Sequence, residues 1–220
     1  MSDALSVRTL YTCENEILSS YLYSFKYPWE ALLQIKDYIY SIIDKITKGY
    51  IKLSDNVIVG DDVKIYPTAI IEGPTFIGRG SVVRPGAYIR GNVIIGEGCV
   101  IGNSTEIKNA VLLDSVQVPH YNYIGDSVLG NHAHLGAGSI CSNLKSDGKN
   151  VIIHAERDID TGLRKVGAFL GDGADVGCGC VLNPGTVIGK NTSVYPMISL
   201  RGVYPADSIV KSADVIVKRR

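Results

Sequence analysis

Two cations raise the first chemical question. Arg90 and Lys108 lie 18 residues apart. If three six-residue repeats make one turn of a coil, they stack on one outward face, about one strand spacing apart. Like charges that close repel unless they splay into water or hold an anion between them. A phosphate ligand and a solvated pair are both open readings. His120 lies 12 residues beyond Lys108, close to the neighbouring face, and could flank the same groove. It sits in Val118-Pro119-His120-Tyr121-Asn122-Tyr123-Ile124-Gly125-Asp126, which groups a histidine, two tyrosines and an amide. His132 and His134 are spaced to project from one side of a strand, which permits metal binding. No Cys, Asp or Glu joins them at ligand spacing, so no metal is expected. The five cysteines are odd in number and form no CxxC pair. Cys99 and Cys180 take inward slots as inert filler, whereas Cys178 takes an outward one.

The positioning element is a six-residue repeat. An aliphatic residue recurs at Val59, Ile65, Ile71, Ile77, Val83, Ile89, Ile95, Ile101, Ile107 and Leu113, with a small or β-branched residue two positions before each. That period suits neither an amphipathic helix nor an alternating strand. It suits a mainly β solenoid of short strands and bends, whose stacked hexads share one interior. Two one-residue slips follow, landing on Val118, Ile124, Leu129 and Leu135, and the frame resumes from Leu170 to Leu200.

Residues 142–164 are polar, carry neither period, and read as an inserted loop. Pro28 opens a helical stretch to about Lys48, with Leu32, Ile35, Tyr38, Ile39, Ile42, Ile43 and Ile46 on one face. That face is expected to cover the open end of the solenoid. The domain reading is therefore a helical region over 1–52 and the solenoid over 53–220. The 22 basic and 22 acidic residues cancel, so no attraction to nucleic acid or membrane is implied. No apolar run approaches the ~20 residues of a membrane span. The N-terminus lacks the layout of a signal peptide, so a cytoplasmic location is expected.

Three segments carry a resemblance. Gly102-Asn103-Ser104-Thr105-Glu106-Ile107-Lys108, then Val118 to Asp126, then His134-Leu135-Gly136-Ala137-Gly138 resemble the acetyltransferase half of bifunctional N-acetylglucosamine-1-phosphate uridyltransferases. Ser142-Asn143-Leu144-Lys145 and Arg164-Lys165-Val166-Gly167-Ala168-Phe169 are most similar to the archaeal-type sugar-1-phosphate nucleotidyltransferase branch. The resemblance implies a left-handed parallel β-helix, a homotrimer, and active sites between neighbouring prisms. It implies His120 as general base and Arg90, Lys108, Tyr123, His134, Asn143 and Lys149 on the acceptor. Acetyl-CoA is the implied co-substrate, with Ala137 and Cys178 in the coils that would contact it. Asparagine stands in the bacterial pattern where this chain has His134, and tyrosine where it has Leu144.

The chain is thus expected to be an acyltransferase moving acetyl to an amino sugar 1-phosphate, in UDP-N-acetylglucosamine metabolism. It would be related to UDP-N-acetylglucosamine pyrophosphorylases, with no uridyltransferase half preceding residue 27. Histidine titrates near neutrality, as a base for a sugar ammonium must. The alternative is a non-catalytic sugar-phosphate or nucleotide-sugar binding subunit, partnering a separate nucleotidyltransferase.

Overall fold

Each hexad supplies a short strand whose small and aliphatic slots point inward, and a residue with positive φ then turns the corner. Asp62 (φ 58°) and Asn191 (φ 54°) turn two such corners, where short polar side chains tolerate the left-handed region. The computed structural model describes residues 2–46 and 48–219. Met1, Thr47 and Arg220, which the expected domain bounds include, lie outside the described residues. The strands stack into three sheets, two nine-stranded and one seven-stranded, all parallel except at the two ends. This is the mainly β, parallel β-helix that the hexads predict, consistent with the left-handed form.

The faces of the prism are numbered here in chain order. Face one carries Val57–Gly60, Thr75–Ile77 and the strands stacked on them. Face two begins with Lys64–Ile65 and face three with Ile70–Glu72. Small residues and aliphatics alternate up the dry interior, where Cys99, Cys141 and Cys180 are buried among Ile95, Ile107, Ile124 and Leu182.

The register departs from expectation at one point. Leu112, not Leu113, pairs with Ile95 and Leu129 and enters the interior. The first slip therefore falls between Ile107 and Leu112, and the second between Ile124 and Leu129. Both lie at the corner from face three to face one, where Asn109 and Asp126 turn with φ 47° and 48°. The insertion between Cys141 and Leu170 opens from that same corner one rung later.

Face one is apolar on its outside too. Ile58, Phe76, Ile94, Val111, Val128, Phe169 and Val187 point outward yet are at most 1% exposed. They are covered by a second core made of the N-terminal region and the insertion. The expected helix breaks into α3 (Pro28–Ala31) and α4 (Ile35–Ile42), preceded by α1 (Val7–Leu10) and α2 (Glu16–Leu22). The break at Leu32–Gln34 lets Trp29 and Ala31 of one helix, and Ile35 and Ile39 of the next, all bury. Asn15 caps α2 by accepting the N–H groups of Ile17 and Leu18.

The helical layer therefore lies along a side of the prism instead of across its open end. The reason is area, since a sheet face offers seven apolar side chains where an end offers one coil. The insertion is ordered as well. Ile152–His154 and Asp158–Asp160 form an antiparallel hairpin, and Val151, Ile153 and Val166 are fully buried beside the helices. Among the described residues no helix is long and apolar enough to cross a membrane.

Candidate active site

The corner from face two to face three stacks three of the singled-out residues in consecutive rungs. Gly138 N–H donates to the His120 carbonyl at 3.0 Å, Gly179 N–H to that of Ala137 at 2.9 Å, and Met197 N–H to that of Cys178 at 2.9 Å. His120, Ala137 and Cys178 thus line one edge, one strand spacing apart. All three are exposed, and the His120 ring makes no hydrogen bond or ion pair among the described residues. Its backbone is fixed instead. His120 N–H donates to Asn122 Oδ1 at 3.1 Å, and Asn122, 2% exposed, donates to the carbonyls of Gly136 and Ser139. The edge is rigid where the imidazole emerges from it.

Face three carries the cations. Ile89 and Ile107 are register partners, so Arg90 and Lys108 follow on adjacent strands at the same outward phase. Their repulsion is relieved by a group the spacing argument did not include. Glu106 Oε1 lies 2.7 Å from Arg90 Nη1, and this hydrogen-bonded carboxylate pushes the guanidinium pKa further up. The Lys108 ammonium takes no partner from the chain among the described residues. Tyr123 is the outward neighbour of Glu106 on the next rung. Burial, helped by the charges of Asp126 and Glu106, pushes its hydroxyl pKa up, so it stays a proton donor. Asn143, at the base of the insertion, donates to the Tyr123 hydroxyl oxygen at 3.2 Å and to Asp126.

Two singled-out residues stand apart. Lys149 is exposed in the turn after Lys145, its N–H donating to Asp147 Oδ1 at 3.0 Å. His134 lies on face two, where its Nδ1 pairs with Asp175 Oδ1 at 2.8 Å. His132 does not share its strand, because it turns the preceding corner with φ 57°. Among the described residues no three His, Cys, Asp or Glu side chains come together as a metal cluster.

Glu106, Asp126 and Asp175 are the partners that the sequence reading missed. Asp175 was accessible in principle. It precedes Val176 as His134 precedes Leu135, so matching the frame across the insertion would have paired them.

Thiol chemistry gives a direct check on this edge. Cys178 is exposed, whereas burial pushes Cys13, Cys99 and Cys141 up to about 12 and also raises Cys180. One thiol per chain should react promptly with Ellman's reagent in the native protein. Cys178→Ser should abolish that fast phase; two or more fast thiols would contradict the burial of Cys99, Cys141 and Cys180 or the raised pKa of Cys13.

A hexapeptide-repeat β-helix with a histidine edge and a cation-bearing face defines the class of protein. Comparison with known sequences narrows it. The family described as GMPPB C-terminal domain matches residues 71–163. The bifunctional protein GlmU of Methanococcus maripaludis is 32% identical over 208 residues, covering 92% of this chain and 51% of that protein. The bifunctional sugar-1-phosphate nucleotidylyltransferase/acetyltransferase of Sulfurisphaera tokodaii is 37% identical over 94 residues, covering 42% and 23%.

The resemblance expected from the motifs is therefore found, and the matched region is the C-terminal half of those proteins. The chain spans about half the length of the first of these curated relatives. Among solved structures, PerB from Caulobacter crescentus, in complex with CoA and GDP-perosamine, aligns with a TM-score of 0.41. Identity is 22%, over 67% of this chain and 52% of that one.

Proposed function

We propose that this protein is an acyltransferase that moves acetyl from acetyl-CoA to the amine of an amino sugar 1-phosphate. One observation carries the reading: His120 stands at the border of the face that holds Arg90, Lys108, Tyr123 and Asn143. It is also in column with the exposed, small Ala137 and Cys178. In this reading Arg90 and Lys108 hold the phosphate by charge-assisted hydrogen bonds, and the Tyr123 hydroxyl donates a further one. His120 removes the proton of the sugar ammonium. The freed amine attacks the thioester carbonyl, the C–N bond forms, the C–S bond breaks, and coenzyme A leaves as its thiol. An extended pantetheine chain fits along the edge past Ala137 and Cys178, whose short side chains leave it open.

His134 and Lys149 do not meet the other acceptor residues within one chain. A homotrimer would supply them from a neighbouring prism, with faces two and three at the contacts because face one is already covered. Sedimentation should then show three chains. A separate nucleotidyltransferase partner belongs to the alternative, binding-subunit reading.

The test is coenzyme-dependent acetylation of glucosamine 1-phosphate. No transfer at any pH would end the enzyme reading and favour a binding subunit. Within the enzyme reading, Lys108→Ala should raise KM for the acceptor and change kcat little. It removes a charged contact worth about 1.5–3 kcal/mol, or roughly ten- to a hundredfold. A loss confined to kcat would remove Lys108 from phosphate binding.

A further inference from the structure

Asp126 is a buried carboxylate, 5% exposed, that touches no cation among the described residues. Both of its carboxylate oxygens take their hydrogen bonds from side-chain amides and none from a cation. Its neighbours link the acceptor face to the corner with face one. Oδ1 accepts from Asn109 Nδ2 at 2.8 Å, and Oδ2 accepts from Asn143 Nδ2. Its N–H donates to the Lys108 carbonyl at 3.0 Å, and its carbonyl accepts from Gly167 N–H at 2.7 Å. One residue therefore joins the Lys108 rung to both ends of the insertion, since Asn143 begins it and Gly167 closes it.

We propose that Asp126 is the positioning residue of this site, setting which atoms of Asn143 and Tyr123 the acceptor meets. The inference rests on the acceptor-binding reading above. A carboxylate only accepts, so it fixes the amino end of the Asn143 amide toward itself. That same amino group donates to the Tyr123 oxygen. Two consequences follow from the donor and acceptor count. The Asn143 carbonyl oxygen faces outward as an acceptor for a sugar hydroxyl. The Tyr123 O–H proton is directed outward as a donor to phosphate. The charge of Asp126 also helps to hold that proton on Tyr123.

Asp126→Asn keeps the shape and presents an amide where Asn109 and Asn143 both need an acceptor. It should raise KM and calorimetric Kd for glucosamine 1-phosphate about tenfold, with kcat changed less than threefold. The exchanged pair, Asp126→Asn with Asn143→Asp, separates positioning from anchoring. It restores a donor–acceptor match at the base of the insertion, so thermal stability and amide-exchange protection at Val166 and Gly167 should return. It also turns the Tyr123 proton toward the new carboxylate, so KM and Kd should stay raised. Recovery of binding together with stability would reduce Asp126 to an anchor and overturn the proposal, as would unchanged KM in Asp126→Asn.

If Asp126→Asn does not fold, Asn109→Gly keeps the left-handed turn, withdraws one donor, and should raise KM about threefold; no change there would count against the relay. If native protein binds no sugar phosphate, the acceptor reading itself fails. The relay is then judged by NMR of ring-labelled Tyr123, whose titration Asp126→Asn should move to lower pH. An unmoved titration overturns it.

Discussion

Replacing His120 by alanine should lower turnover by roughly 10²–10⁴-fold, the usual share of general acid–base catalysis, with acceptor binding little changed. The size follows from what the side chain does in the proposed reaction. A sugar ammonium has no lone pair to attack with, and His120 is the exposed base on the border of the cation-bearing face. Its backbone is locked by Asn122, so the substitution removes an imidazole and leaves the rung in place. The measurement is kcat and KM of native protein and variant with saturating acetyl-CoA. A variant that keeps more than a tenth of native kcat would remove His120 from the base role. His134, already hydrogen-bonded to Asp175, would be the next imidazole to test in the same way.

Removing residues 1–48 should cost the protein its solubility and most of its stability. The helical layer covers outward side chains of face one, among them Ile58, Phe76, Ile94, Val111, Val128 and Phe169. Burial of one such side chain contributes about 1.5–3 kcal/mol, so their exposure together costs on the order of 10 kcal/mol. That equals the whole stability of an ordinary domain, about 5–15 kcal/mol. Trp29 packs on Phe169 with ring centroids 5.8 Å apart, and Phe169→Ala alone should cost about 3–5 kcal/mol. Truncated protein should bind a hydrophobic dye and sediment as aggregates. A soluble truncated chain with native melting temperature would show that the layer is dispensable. The same burial has a consequence for assembly, because a face sealed by its own chain cannot pack against a neighbour.

The hexad repeat determined the solenoid. A period of six with inward small and aliphatic slots has one packing solution, and each strand's register follows from keeping those slots inward. It also placed Arg90 and Lys108 on adjacent rungs, because a vertical neighbour in a coil is a fixed sequence distance away. The His120 motif was legible from the residue types it groups and from the family resemblance. What spacing could not supply were contacts made diagonally or across irregular corners. Glu106 reaches Arg90 through its side chain, Asp175 meets His134 only once the insertion is bridged, and Asp126 gathers partners from three segments. Leu112 displaced Leu113 because a one-residue corner at Asn109 leaves no mark in composition.

The course of the N-terminal helices and of the insertion was decided by tertiary structure alone. Their apolar residues announced that something must be covered. Only the outward apolar stripe on face one, set between the inward slots of the hexads, fixed what that was.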